Sequence, residues 1–154
     1  MQLSSCYLFK GLSEAQLDSI IAIANETRIL KDQWLFREDE AAEQMFVLKA
    51  GAVELLTTVE NDVELPITII RTPGNCFGTS TLVPPHKYSL SARGVEEGKL
   101  LTIKKTDLEK LIKQDLEVGH TILLNLAKHF LERLKETRQE IRIHFKTIFK
   151  SMHH

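Results

Sequence analysis

A chain of 154 residues has room for one domain and little more, and 43% hydrophobic residues supply a core, which excludes wholesale disorder. The formal net charge of −1 lacks the basic excess of a dedicated nucleic-acid binder, and no apolar run approaches the ~20 residues that span a bilayer. The two cysteines, Cys6 and Cys76, stand far apart, form neither a metal-type cluster nor a disulfide framework, and suit a reducing cytoplasm, where the protein is expected.

Leu3-Ser4-Ser5-Cys6 loosely matches a bacterial lipoprotein cleavage site, but no basic or apolar stretch precedes it, so no membrane anchor is expected. The first helix is predicted over about 14–25. Ser13 and Gln16 make a capping box, Leu12 and Leu17 a hydrophobic staple, and Leu17, Ile20, Ile21 and Ala24 an apolar stripe. Short strands follow at Thr27–Leu30, Trp34–Arg37, Met45–Lys49, Ala52–Val59 and Glu64–Thr72. After Pro73-Gly74 and a gap come Tyr88–Val95, a turn at Glu96-Glu97-Gly98, and Lys99–Lys104. Seven or eight short strands between turns predict a compact antiparallel barrel or sandwich.

Thr106 and Glu109 spell a second capping box before a short helix at 107–113. Asp115 then caps a helix that runs to about Lys150, roughly 50 Å at 1.5 Å per residue, with Gly119 as its one internal breaker. Leu123, Leu126, Phe130, Leu134, Thr137, Ile141, Phe145 and Ile148 form a stripe that outruns any barrel beside it. Left in water, such a strip is costly, so a homodimer through this helix is expected, nearly straight or weakly right-handed because its 3-4-4 spacing is nearer 11 than 7. Folding of the tail back onto its own barrel is the alternative. Arg138, Arg142, Lys146 and Lys150 form a second row, read as a solvated face that suits the helix C-terminus, with contact to phosphates as the alternative.

One stretch carries a resemblance. Gly74-Asn75-Cys76-Phe77-Gly78-Thr79-Ser80-Thr81-Leu82 resembles the start of the phosphate-binding cassette of cyclic nucleotide-binding domains, whose pattern is Gly-x-x-Phe-Gly-Glu-x-Ala-Leu and then an Arg about nine residues after the Glu. Gly74, Phe77, Gly78 and Leu82 match. Trp34–Glu38, Met45–Gly51 and Leu100–Ile103 with the following short helix also fit, so the resemblance covers Leu8 to Gln139. It implies a mainly β fold with flanking helices: an eight-stranded antiparallel β-roll, jelly-roll-like, with an N-terminal helix and a long C-terminal helix. The roll and short helices would occupy 1–114 and the dimerisation helix 115–150.

The resemblance also implies a site at Phe77, Gly78, Thr79, Ser80, Thr81, Lys87, Tyr88 and Ser89. In the family a short helix after the Phe-Gly step offers backbone N–H groups to the cyclic phosphate, the Glu accepts from the ribose hydroxyl, and the Arg pairs with the phosphate. Here Thr79 stands at the Glu position and Tyr88 at the Arg position, beside Lys87. Losing one charge-assisted bond removes about 1.5–3 kcal/mol, and losing the partner of a buried charge costs about 2–5 kcal/mol, so cyclic nucleotide binding of the usual kind is expected to fall by at least about two orders of magnitude. Lys87 would reach the phosphate only after a one-residue slip, which turns it to the opposite face from Tyr88. Gly78, Thr79 and Ser80 then form either an anion nest or a packed remnant. Tyr88 either stacks on a ligand or fills the pocket with its own ring. Two early turn glycines of the family are replaced by Asp32 and Asp39, which tolerate turn geometry.

The function expected is a non-enzymatic regulatory sensor that takes a cyclic nucleotide or a related small anion, or has lost that ligand, and signals through its C-terminal helix. No cofactor is certain. A ligand-free protein-interaction module on the same fold, with a protein partner, is the alternative. A cupin-like metal-dependent enzyme is remote. Such a site needs a His and carboxylate cluster on strands, whereas His86, His120, His129 and His144 are scattered, and no catalytic or metal-binding set stands out. DNA-binding members of the family add a helix-turn-helix after the long helix. The sequence closes at His154, so no direct nucleic-acid contact is expected.

Overall fold

The computed structural model describes residues 3–153, so Met1, Gln2 and His154 lie outside the account. Two single 3-10 turns, Leu3–Ser5 and Tyr7–Phe9, precede helix α1 (Glu14–Ile23). The predicted capping box forms in full: the Gln16 amide donates to Ser13 Oγ at 3.2 Å and the Ser13 amide donates to Gln16 Oε1 at 2.9 Å. Of the predicted stripe, Ile20 is buried but Ile21 faces solvent.

The strands are β1 (Ala24–Ile29), β2 (Trp34–Phe36), β3 (Gln44–Thr58), β4 (Glu64–Ile70), β5 (Cys76–Phe77) and β6 (Ser91–Lys104). They form one antiparallel sheet in the order β1-β6-β3-β4, with β2 added to β6 and β5 to β3. The fold is mainly β with flanking helices. Two pairs of predicted strands are each continuous. Met45–Lys49 and Ala52–Val59 join as β3, bent at Gly51 (φ 93°) where the register against β6 shifts three times between Leu48 and Val53. The predicted turn at Glu96-Glu97-Gly98 likewise lies inside β6. With each half of β3 and β6 taken separately, the sheet has eight segments, the number the resemblance implies, although β5 is not among the seven strands named from the sequence and β6 starts at Ser91 rather than Tyr88.

Helix α2 (Lys105–Gln114) does not use the predicted second capping box. Its N-cap is Lys104, with no side-chain bond. The Lys105 amide is held by the Glu43 carbonyl at 2.8 Å, so the helix starts two residues early and Thr106 falls inside it. Glu109 pairs with Lys105 Nζ at 3.3 Å instead. Helix α3 (Leu116–Met152) starts where predicted: Asp115 accepts from the Val118 amide at 3.3 Å. Gly119 is there for packing, since a Cβ at that point would sit 2.5 Å from Ile112 Cγ2 of α2.

Two cores result. One lies at the helical end, where Leu8, Phe9, Ile20, Met45, Leu108, Ile122 and Leu126 are buried together. Asn125 Nδ2 ties α3 there by donating to the Leu8 and Lys10 carbonyls, each at 2.9 Å. The other fills the roll around Phe36, Phe46, Phe77 and Tyr88. Beyond Leu126 no residue of α3 is buried, and residues 131–153 are all exposed; the tail does not fold back on its own roll. None of the described helices is long and apolar enough to cross a membrane.

Candidate functional site

The cassette begins where β5 hydrogen-bonds with β3, Phe77 opposite Phe46 and Cys76 opposite Val47. Gly78 then turns at φ 74°, a conformation that side chains resist, and a Cβ there would come within 3.3 Å of both the Gln44 carbonyl and Tyr88 Cε1. The expected short helix is one 3-10 turn, Thr79–Leu82. Thr81 closes it by donating its hydroxyl to the Gly78 carbonyl at 3.1 Å.

Tyr88 settles into the roll core with 5% of its surface exposed. Its ring stacks on Phe36 with centroids 3.7 Å apart and planes 10° apart. Its hydroxyl donates to the Gln44 carbonyl at 2.6 Å and accepts from the Gln44 amide at 3.3 Å. Burial pushes the phenol's pKa above its usual value, so it stays a neutral donor. The main chain on both sides is pinned as well. The Tyr88 amide donates to Glu40 at 3.0 Å, the Asp39 amide donates to Tyr88 at 2.9 Å, and the Ala42 amide donates to His86 at 2.7 Å. Tyr88 thus packs its own ring against the cassette and presents no positive charge.

A cavity of about 470 Å³ opens beside this cluster, a size that suits a small ligand. Leu55 of β3, Ile67 and Ile70 of β4, and Phe36 and Phe77 give it apolar walls. Asn75, Thr79, Ser80 and Ser89 add polar groups at the cassette, and α3 covers one side with His129, Phe130 and Arg133. Of the eight residues predicted from the sequence, Phe77, Gly78, Thr79, Ser80, Tyr88 and Ser89 line the cavity, while Thr81 and Lys87 do not. Lys87 is exposed, whereas Tyr88 beside it is buried, and its main chain bridges Ala41.

Arg133 was not among the predicted residues, yet it is the one arginine or lysine among the described residues that line the cavity. Its guanidinium reaches Glu136 Oε2 at 3.3 Å and stays largely exposed. A sequence signal did exist: Arg133 lies three residues after Phe130, so it shares the face of the apolar stripe. Tyr7 closes the cavity from the N-terminal segment and stacks on His129, centroids 4.2 Å apart. Burial first, and the Arg133 charge second, hold the His129 pKa below its ordinary value.

Comparison with known proteins agrees with this fold. The sequence profile described as "Cyclic nucleotide-binding domain" matches residues 26–115. The chain is 25% identical over 126 residues to the Anaerobic regulatory protein of Bacillus subtilis, covering 81% of this chain and 52% of that protein. It is 26% identical over 134 residues to the Cyclic AMP receptor protein of Thermus thermophilus, covering 87% of this chain and 60% of that one. The crystal structure of Thermus thermophilus Catabolite Activator Protein superposes with a TM-score of 0.75 at 25% identity, over 89% of this chain and 62% of that one. The chain therefore spans a little over half the length of these curated relatives.

Proposed function

The chain belongs to the cyclic nucleotide-binding domain family, and on that premise we propose that it is a non-enzymatic regulatory sensor whose ligand is not held through the family's usual phosphate pairing. The observation that carries this reading is Tyr88, buried, stacked and doubly hydrogen-bonded at the position where the family places its phosphate-binding Arg. The ligand proposed is a small molecule with an apolar body against Ile67, Ile70 and Phe77. Its anionic group would lie among the Thr79 and Ser80 hydroxyls and the Arg133 guanidinium. Contact with His129, Phe130 and Arg133 gives such a ligand a handle on α3, so occupancy would bias how that helix lies on the roll.

The output proposed is homodimerisation through α3. Leu134, Ile141 and Phe145 are 46%, 50% and 53% exposed in the single chain, and a second copy of the helix would cover them. Sedimentation of the natural chain at tens of micromolar is expected to give a dimer, and Leu134→Glu with Ile141→Glu a monomer. A monomeric natural chain would overturn the helix pairing.

The ligand reading is tested by thermal unfolding with adenosine monophosphate, inorganic phosphate and a set of aromatic carboxylates. At about 100 times Kd a true ligand adds about 2.7 kcal/mol, a shift of several degrees. At least one compound is expected to raise Tm of the natural chain and to lose that effect in Arg133→Ala. If none does while the chain dimerises, the ligand-free interaction module is the better account.

A further inference from the structure

Cys6 and Cys76 stand far apart in sequence but meet in the fold. Cys6 is the N-cap of the Tyr7–Phe9 turn and is 1% exposed; Cys76 lies in β5, held by β3, and is 9% exposed. Both thiols are free and belong to the same buried core. The chains around them run side by side: a Cβ on Gly74 would collide with the Ser5 side chain. The two thiols lie close enough to set each other's pKa, Cys76 lowering that of Cys6 and Cys6 raising that of Cys76, while the Phe9 amide donates to the Cys6 carbonyl at 3.1 Å and fixes the turn. Cys76 beside it lowers the Cys6 pKa against burial, which raises it, so of the two thiols Cys6 gives up its proton more readily. Cys76 and Tyr7 both line the ligand cavity, which gives a small oxidant a path to the pair.

We propose that Cys6 and Cys76 form a reversible intramolecular disulfide when the protein meets a hydroperoxide, fixing the N-terminal segment to the strand that opens the cassette. The Cys6 thiolate attacks one peroxide oxygen and the O–O bond breaks, giving a sulfenic acid and hydroxide. Cys76 then attacks that sulfur, the S–O bond breaks, and hydroxide leaves. Its thiol proton and the one released by Cys6 convert both hydroxides to water. In total two thiols and one hydrogen peroxide become one disulfide and two waters, the sulfurs losing two electrons and the peroxide gaining two. The N-terminal segment already touches α3 through Asn125 and through the stack of Tyr7 on His129. The bond therefore links a redox signal to the same cavity wall and helix, whichever ligand the cavity takes.

The test uses the natural full chain, treated with hydrogen peroxide, denatured, alkylated and weighed intact. The expected result is a loss of two hydrogen atoms, no alkylatable thiol, a monomeric band without reductant, and complete reversal by dithiothreitol. Tm of the oxidised chain is expected to rise above that of the reduced chain, since the cross-link restricts the unfolded state. Two thiols that stay alkylatable, oxygen atoms added to a single sulfur, or disulfide-linked dimers would each overturn the proposal. Cys6→Ser and Cys76→Ser are each expected to retain one alkylatable thiol or to carry added oxygen, never to reproduce the paired loss.

Discussion

Two regions of this molecule depart from the pattern of their family, and the departures have opposite consequences. In the early turns Asp32 and Asp39 replace glycine, and both take the left-handed conformation that glycine would have taken, at φ 66° and 70°. The turns keep their bonds: the Asp32 amide still reaches the Gly94 carbonyl at 2.9 Å and the Asp39 amide the Tyr88 carbonyl at 2.9 Å. In the cassette Gly78 likewise turns in the left-handed region, at φ 74°, but on the proposed reading the phosphate chemistry is lost. By the resemblance, a neutral Thr79 and a buried Tyr88 stand where the family pattern has a carboxylate and a guanidinium. A position that supplies only backbone geometry tolerates another residue able to adopt that geometry. A position that supplies charge does not.

The sharpest way to stress this contrast is to remove the Tyr88 ring. Tyr88→Ala leaves a hole between Phe36, Phe46 and Phe77 and is expected to cost about 3–5 kcal/mol in denaturant unfolding. Tyr88→Phe keeps the stack and loses only the bonds to Gln44, so about 1 kcal/mol is expected. Equal losses in the two variants would show that the ring is not the packing element described.

The turn side of the comparison predicts smaller effects. Asp39→Val places a β-branched residue in the left-handed region and is expected to cost about 1–2 kcal/mol. Asp39→Gly should change stability by less than about 0.5 kcal/mol, because relief of strain offsets the greater freedom of the unfolded chain. A large loss on Asp39→Gly would mean that the Asp side chain, not its backbone, holds the turn.

The smallest effect is a pH dependence at the cavity wall. Burial and the nearby Arg133 lower the His129 pKa in the folded chain, opposed more weakly by Glu132 and Glu136. The unfolded chain therefore binds that proton more readily. The stability His129 contributes is complete above its unfolded value near pH 6.5 and is lost as pH falls through the lowered folded value. Tm of the natural chain is expected to decline in that window more than Tm of His129→Gln. Parallel curves would remove His129 from the account.

Much of this was legible in the sequence because it depends on local chemistry. The Ser13/Gln16 box, the Asp115 cap and the left-handed Asp turns need only neighbours along the chain. The second capping box misled because the Lys105–Glu43 bond starts α2 early, a tertiary contact that no local pattern reports. The 3-10 turns before α1 went unread, since Leu3, Cys6, Leu8 and Phe9 carry no strand or helix period yet are all buried. At the site, the residues of the cassette could be named, but Tyr7, His129 and Arg133 reach the cavity from distant segments. The orientation of Tyr88 was open for the same reason: Phe36 and Gln44 decide it, and neither is near it in sequence.

The central claim is that the scaffold is intact and the phosphate pairing is gone. Calorimetric titration with cAMP and cGMP tests it most directly, on the natural chain and on Thr79→Glu with Tyr88→Arg, each checked for a cooperative melt. The account predicts no heat of binding with the natural chain and measurable binding with the folded double variant. Micromolar or tighter binding by the natural chain would contradict it and would mean that another group, not the cassette position held by Tyr88, serves the phosphate.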